Sequence, residues 1–408
     1  MRIREYNSWP LNAVAPENPT MMSRSNYSIG RNTVTALMIA GLVLNTSACD
    51  PVMEPTEIPV GVILPLSGTL GPLAQSVMNG MDLALEEINA RESFRLRFIV
   101  EDGKSNVDSA LAAYTRLADQ HKVTAIIGPA SSTETERAIP LINNKKIATL
   151  SATAARSGLG TQSEFLFLSS LSVGRTVPEG VRISKKHLGY KSVATLVNKV
   201  DAFSNSSNDF ITQELGTHSD VTIVHAASYR LPQGQSFGDI TAQLTAIQNA
   251  VPTPDAIFLS ALPEGRIGTL IAAHRLGLRI PFIVNFISIE AIHAVNEAEP
   301  GAAEGTITFQ VWLPNSVVAE SREFVDNYRS KFGEEPGDFA ARGYAAVTIL
   351  GEALNRASAY DATSIRDALA EIRDFPSIFG PFSFDENGDA VTSPVIARVQ
   401  NNKFEVLD

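Results

Sequence analysis

The chain has 408 residues, of which 44% are hydrophobic and 19% charged, and this composition is typical of a folded globular protein. Its formal net charge of −11 argues against nucleic acid as a partner, because phosphate binding needs clustered lysine and arginine. Cys49 is the only cysteine, so no disulfide within the chain can stabilise the fold.

The first element in chain order is an export signal. Basic residues precede the apolar run Val34–Leu44, and small residues follow it up to Cys49. The run is too short to cross a bilayer, and its position and flanks are those of a secretory signal. We therefore expect residues 1–49 to form an export signal region and residues 50–56 a linker.

Cys49 itself resembles the lipid-attachment cysteine of bacterial lipoproteins. Asp50, directly after it, resembles the inner-membrane retention signal of some Gram-negative lipoproteins. Ordinary cleavage after Ala48, without lipidation, also fits the pattern. Both interpretations place the protein outside the cytoplasm, and the first predicts a lipoprotein anchored in the inner membrane on its periplasmic side.

From residue 57 onward, strand-like and helix-like segments alternate. The first series has the strands Val60–Leu64, Leu96–Val100, Val123–Ile127 and Ile147–Leu150, separated by the helices Leu73–Asn89, Ala110–Leu117 and Thr133–Ile142. The second has the strands Ser192–Val197, Val221–Ala227, Ala256–Leu259 and Pro281–Val284, with the helices Asn208–Leu215, Phe237–Ala250 and Pro263–Leu276. The remainder adds the helices Val317–Phe332, Ala340–Ala357 and Ser364–Glu371 and short strands at Phe382–Phe384 and Val395–Val399. Two such series predict an α/β protein with two doubly wound lobes, each built on a parallel sheet.

Sequence signatures of enzymes and metal sites are absent from the chain. It has no nucleophile elbow, zinc-protease motif, phosphate loop or dinucleotide fingerprint, and its six histidines lie far apart. No catalytic residue, metal or cofactor is predicted, and the histidines are interpreted as surface or capping residues.

Three loops that follow predicted strands carry small polar residues. They are Pro65–Gly68, Gly128–Glu134 and Leu150–Ala155. Open α/β sheets bind ligands at such loops. Ser131 and Ser132 place hydroxyls at a predicted helix N-terminus, which favours a bound carboxylate, although plain helix capping by the same residues is the alternative.

These loops, in this order, resemble the leucine/isoleucine/valine-binding protein family, the type I periplasmic solute receptors of ABC transporters. The clearest segments are Val60–Gly68, Asn79–Ala90, Ile126–Thr133, Tyr344–Val347 and Gly380–Gly388. The resemblance covers nearly all of residues 57–408, and it implies two lobes joined by a three-crossing hinge with the ligand in the cleft.

The family template also implies where each lobe begins and ends. The first lobe would comprise residues 57–173 and 312–378, and the second lobe residues 174–311 and 379–408. In the family the first lobe holds a ligand carboxylate, and the second closes over the side chain.

Several positions depart from the family's amino-acid site. The threonine that helps to hold the amino acid falls on Ala155, and the acidic partner of the ligand ammonium falls near Asn285 and Phe286. Asp201 or Glu264 is the alternative source of that charge. Because a buried ammonium without a carboxylate is costly, the sequence predicts either an amino-acid-like solute or an apolar carboxylate.

The expected ligand-binding residues combine the strand-end loops with apolar positions in both lobes. They are Ser67, Leu73, Ser131, Ser132, Ser151, Ala152, Thr153, Phe203, Ser260 and Phe286. The resemblance implies a non-enzymatic receptor that delivers a small organic solute to ABC permease subunits. A same-fold envelope sensor, or a structural lipoprotein that regulates cell-wall enzymes, is the alternative.

Lipidation of Cys49 has a direct test in the Cys49→Ala variant. We expect this change to move the protein from the membrane fraction to the soluble fraction, because it removes the thiol that carries the lipid. Immunoblotting of the separated fractions measures the change. A variant that stays with the membrane would show that the anchor lies elsewhere.

Overall fold

The structure, a computed structural model, describes residues 55–233 and 235–408. The predicted export signal and Cys49 lie outside these residues. The strands are β1 (Thr56–Leu64), β2 (Phe94–Asp102), β3 (Ala125–Ile127), β4 (Ala148–Ser151), β5 (Leu166–Leu168), β6 (Ser192–Asn198), β7 (Thr222–Tyr229), β8 (Ala256–Ser260), β9 (Phe282–Val284), β10 (Ile307–Gln310), β11 (Phe375–Ser377), β12 (Gly380–Phe384), β13 (Ala390–Val391), β14 (Val395–Gln400) and β15 (Lys403–Val406). The helices are α1 (Gly71–Arg91), α2 (Val107–Asp119), α3 (Ser132–Lys145), α4 (Val173–Leu188), α5 (Ala202–Thr217), α6 (Thr241–Gln248), α7 (Pro263–Arg275), α8 (Ile289–Ala298), α9 (Ala319–Phe332), α10 (Asp338–Arg356) and α11 (Ala362–Ala370).

Most strands belong to two separate main sheets. One has the order β2-β1-β3-β4-β5 and is parallel throughout. The other has the order β15-β14-β10-β9-β8-β6-β7, parallel from β10 to β7, with β14 and β15 antiparallel at its edge. The α/β fold with two doubly wound lobes is confirmed; we call the half around the first sheet the first lobe and the half around the other the second lobe.

Each main sheet is buried on both faces. In β1, Val60 and Val62 face one apolar core and Ile63 faces another. In β6, Leu196 and Val193 likewise enter two different cores. Strands covered on both faces need apolar residues at successive positions, which explains why they stand out as continuous hydrophobic runs in the sequence.

The chain passes between the two sheets three times within the described residues. It leaves the first sheet after β5, returns after β10 to helices α9–α11, which pack on the core of the first lobe, and leaves again between β13 and β14. The three crossings agree with the expected hinge. Within the part of the chain that the structure describes, no helix has both the length and the apolar character needed to cross a membrane.

The segment 379–391 differs from the sequence expectation, which placed it in the second lobe. Phe382, Phe384 and Ala390 are buried in the core of the first lobe. The cause is the hairpin of β11 and β12, which pairs Ser377 with Gly380 and folds the chain back on the same lobe. The lobe boundary therefore lies after this hairpin, near the start of β14.

One predicted helix is shorter than its pattern suggested. The apolar spacing predicted a helix over Phe237–Ala250, whereas α6 is limited to Thr241–Gln248. Asp239 accepts a hydrogen bond from the backbone N–H of Thr241 at 2.8 Å, and the residues between Ser236 and Ile240 are not helical. The pattern identified the helix, and the local hydrogen bond decided its start.

Helices α1 and α10 pack in close contact, and two glycines permit it. A Cβ atom at Gly80 would lie 1.9 Å from the carbonyl oxygen of Ala340, and one at Gly343 would lie 2.1 Å from that of Val77. Neither backbone can yield without separating the helices. The closeness of α10 to α1 is what places the first turns of both helices beside the cleft.

Gly80→Ala should destabilise the protein by about 2–3 kcal/mol, because the added methyl group overpacks this contact. Gly216→Ala is the matched control, since a Cβ there meets nothing within 4 Å in helix α5. The control should be neutral or slightly stabilising. Urea unfolding followed by circular dichroism measures both, and equal stability of the two variants would contradict the packing argument.

Candidate ligand-binding cavity

A cavity of about 100 Å³ lies between the two lobes, at the carboxyl ends of their strands. A single water needs roughly 10–15 Å³ on the same measure, so the cavity has room for a small solute. Apolar side chains from both lobes line most of it: Leu64, Leu70, Leu73, Val77, Val173, Phe203, Leu262, Phe286, Phe309 and Phe339. Its position is where open α/β sheets bind ligands.

The N-terminal ends of six helices converge on this cavity. Residues from the first two turns line it in α1, α3, α4, α5, α7 and α10: Leu73, Ser132, Val173, Phe203, Arg266 and Arg342. A helix N-terminus carries partial positive charge and free N–H groups, so the combined field favours an anion.

Arg266, in the first turn of α7, brings a positive charge into the cavity from the second lobe. The residue is 3% exposed, and its Nε has no hydrogen-bond partner among the residues that the structure describes. Its guanidinium carbon lies 5.3 Å from the centre of the Phe203 ring and 5.4 Å from that of Phe286. Burial lowers the pKa of Arg266 to about 10, so the side chain still carries its charge at neutral pH.

Arg342, at the start of α10, is the second cationic side chain of the cavity, and it is already paired. It forms an ion pair with Asp338 one turn earlier and donates a hydrogen bond to Ser170. Burial raises the pKa of Asp338, and the charge of Arg342 acts against that rise. The two arginines therefore differ: Arg342 is hydrogen-bonded to its counter-charge, whereas no carboxylate of the described ranges bonds to Arg266, on which Asp201 and Glu264 act only at a distance.

The two carboxylates nearest to Arg266 do not line the cavity. Asp201 caps α5, where it accepts hydrogen bonds from the N–H of Ser204 at 2.6 Å and the side-chain amide of Asn198 at 3.0 Å. Both carboxylate oxygens of Glu264 are buried with no hydrogen-bond partner in the described part of the chain, and burial raises the pKa of Glu264. Among the described residues, no aspartate or glutamate lines the cavity.

The hydroxyls at the start of α3 serve the fold as acceptors. Ser131 caps the helix by accepting from the N–H of Glu134, which in turn accepts from the N–H of Ser131. Ser132 accepts from the N–H groups of Ala155 and Arg156, both at 3.1 Å. Since a hydroxyl has two acceptor sites and one hydrogen, Ser132 keeps its O–H as a donor at the cavity wall.

Hydrogen bonds also join the two lobes directly beside the cavity. The N–H of Ala202 donates to Thr133 Oγ1 at 3.0 Å, and Gln233 Nε2 donates to Glu134 Oε1 at 2.7 Å. These contacts tie the start of α3 to the second lobe.

The structure brings six of the expected ligand-binding residues together at the cavity: Leu73, Ser131, Ser132, Thr153, Phe203 and Phe286. Four others lie outside its lining. Ser67 binds Asp102 at the surface, Ala152 lies in the apolar core, and the hydroxyls of Ser151 and Ser260 bond Pro129 and Ser207. A ligand role for the six stays a prediction.

Among the cavity residues that the sequence did not single out, Arg266, Arg342 and Phe339 carry its charge and an aromatic contact. An arginine within a helix normally lies on the exposed face, and the residues around these two give no sign that they point inward. One feature of the sequence could have indicated Arg266: it lies three residues after Pro263, at the start of a predicted helix that follows a strand.

Comparison with known proteins identifies the fold family. A model of the family described as periplasmic binding protein matches residues 57–403. The chain belongs to this periplasmic binding protein family. Glutamate receptor 2.2 of Arabidopsis thaliana is 23% identical over 317 residues, which are 76% of this chain. The chain spans only 33% of that receptor's length.

Solved periplasmic binding proteins share the fold at low identity. The branched-chain amino acid transporter substrate-binding protein LivJ of Streptococcus pneumoniae, in complex with isoleucine, has a TM-score of 0.76 and 24% identity, covering 86% of this chain and 99% of its own. A solute-binding protein of an ABC transporter from R. palustris, in complex with benzoate, has a TM-score of 0.74 and 20% identity, covering 86% and 96%.

Ser132→Ala should destabilise the protein by about 1–3 kcal/mol, because it leaves the N–H groups of Ala155 and Arg156 without their acceptor. Thr161→Ala is the control, since its exposed hydroxyl donates only to the carbonyl of Gly158. Chemical unfolding compares the two. If both variants unfold at the same urea concentration as the parent, Ser132 does not hold this loop.

Proposed function

We propose that this periplasmic binding protein is the extracytoplasmic receptor of an ABC transporter, and that it captures a small monoanion with an apolar body. Family membership and the predicted export signal support a location outside the cytoplasm. The observation that carries the ligand assignment is the guanidinium of Arg266, buried in an apolar cavity with an unpartnered Nε.

A carboxylate fits this environment for electrostatic reasons. A buried cation is costly, and the nearby carboxylates of Asp201 and Glu264 oppose the charge of Arg266 without a hydrogen bond to it. A ligand anion in the cavity would give the guanidinium a direct partner in a site of low dielectric constant. The hydroxyl hydrogen of Ser132 is a further donor for an anion, and the positive potential of the converging helix N-termini also favours negative charge. A second acid group on the ligand is not needed for Arg342, because Asp338 already neutralises its charge.

A free amino acid fits less well. Its ammonium would enter a cavity in which, of the residues described, none contributes a carboxylate. Asp201 and Glu264, the alternatives that the sequence offered, are not among the residues that line the cavity. A protein of the same fold is known in complex with isoleucine. For this chain we propose instead a carboxylic acid that lacks the amino group.

Matched ligand pairs test this assignment. 4-Methylpentanoate differs from leucine, and 3-phenylpropanoate from phenylalanine, by the ammonium group. We expect at least one desamino acid to raise the melting temperature of the purified protein, since a ligand that binds only the native state stabilises it. The corresponding amino acid should have no effect. Equal stabilisation by leucine and 4-methylpentanoate would contradict the proposal.

Arg266→Gln should weaken binding of the effective acid by about tenfold to a hundredfold, the equivalent of a lost charged hydrogen bond. Arg275→Gln is the control, because Arg275 lies at the other end of the same helix and pairs with Glu299 at the surface. Isothermal titration calorimetry gives both affinities. Unchanged affinity in Arg266→Gln would remove the arginine from the site.

A further inference from the structure

Phe286 occupies an unusual backbone conformation at the centre of the cleft. Its φ is +74°, in the left-handed region that a bulky aromatic residue rarely adopts. Strain of this kind persists only where the surroundings fix the backbone, and it is concentrated at functional positions.

The residues on either side of Phe286 hold this conformation. The side chain of Asn285 accepts from Thr176 Oγ1 at 3.1 Å and donates to Ser207 at 3.4 Å. The carbonyl of Ile287 accepts from Gln310 Nε2 at 2.6 Å. The second lobe therefore fixes the backbone on both sides of the ring and projects the ring toward the first lobe.

The ring contacts the first lobe at two side chains of α10. It forms an edge-to-face pair with Phe339, with ring centres 5.3 Å apart and planes at 90°. The guanidinium carbon of Arg342 lies 4.4 Å from the centre of the Phe286 ring. From its own lobe, Arg266 approaches the same ring at 5.4 Å.

One phenyl ring therefore contacts two buried guanidinium groups that belong to opposite lobes. Separating the lobes would return water to the groups around the cleft, and closing them removes it. An aromatic ring attracts a cation electrostatically, most strongly when water is excluded, whereas an aliphatic side chain of similar size does not.

We propose that Phe286 is the residue that determines lobe closure, because its ring, which already lies beside Arg266 in its own lobe, replaces water on Arg342 as the lobes come together. The role of closure in ligand capture rests on the proposed function, but the contact of the ring with both lobes does not. The same geometry predicts that the empty protein already samples the closed state, and that a bound anion strengthens it by supplying charge to Arg266.

The test measures the closed fraction of the whole chain without ligand. Arg137→Cys in α3 and Asp209→Cys in α5 provide two exposed positions, one on each lobe, for spin labels. Cys49→Ser removes the only native thiol. The distance distribution between the labels, from pulsed electron resonance, gives the populations of closed and open protein.

Phe286→Leu should lower the ligand-free ratio of closed to open protein by about tenfold, because it keeps an apolar side chain and loses the ring. Phe286→Tyr keeps the ring and should preserve the ratio. Phe332→Leu is the matched control: the ring of Phe332 also faces a cation, Lys331 at 5.2 Å, but lies on α9 away from the cavity. Circular dichroism confirms that each variant is folded.

A double-mutant comparison separates the cation contact from simple packing. In an Arg342→Gln background, which removes the cation of the opposite lobe, Phe286→Leu should change the ratio by a smaller factor than in the parent. An equal factor in both backgrounds, or an unchanged ratio in Phe286→Leu alone, would overturn the proposal. Addition of 3-phenylpropanoate tests the proposed function separately: if it fails to bind the parent protein, the ligand-free comparison still decides the role of Phe286.

Discussion

The burial of Arg266 beside two carboxylates that act on it only at a distance is the constraint on which the chemistry of this cavity depends. A guanidinium taken out of water is stable only when something replaces its hydration. Here two phenyl rings replace part of it, and the nearest carboxylates stay outside the cavity lining. The helix N-termini around the cavity add positive potential rather than relieve it. A negatively charged guest, as proposed above, would be a direct partner for Arg266.

The start of α3 shows how structural and functional roles share the same residues. Ser131 and Ser132 accept backbone hydrogen bonds that shape the cleft, and Thr133 and Glu134 bond to the second lobe. A ligand at this helix start would thus contact side chains whose positions depend on the closed arrangement of the lobes. Loop shape, lobe closure and ligand contact are coupled through one helical turn.

Family membership settles the architecture but not the solute. Periplasmic binding proteins of this fold hold guests as different as isoleucine and benzoate, in relatives that share its fold at 24% and 20% identity. Function within a common fold resides in the side chains of the site. For this chain those side chains are an arginine without a bonded carboxylate, a paired arginine and a largely apolar wall, and the proposed preference for an organic anion over a zwitterion rests on them. The alternative of an envelope sensor with the same fold shares this cavity and differs only in its protein partner.

The sequence by itself determined the α/β class, the two parallel sheets and the loops that meet at the cleft, because buried parallel strands require apolar runs and their loops require small polar residues. It also placed Leu73, Ser131, Ser132, Thr153, Phe203 and Phe286, all of which line the cavity. Only the tertiary structure decided that Arg266 and Arg342 point inward, that Ser151 and Ser260 bond within the fold, and that segment 379–391 packs on the first lobe. These outcomes depend on contacts between residues far apart in the chain, such as Phe286 with Arg342, and no local pattern records them.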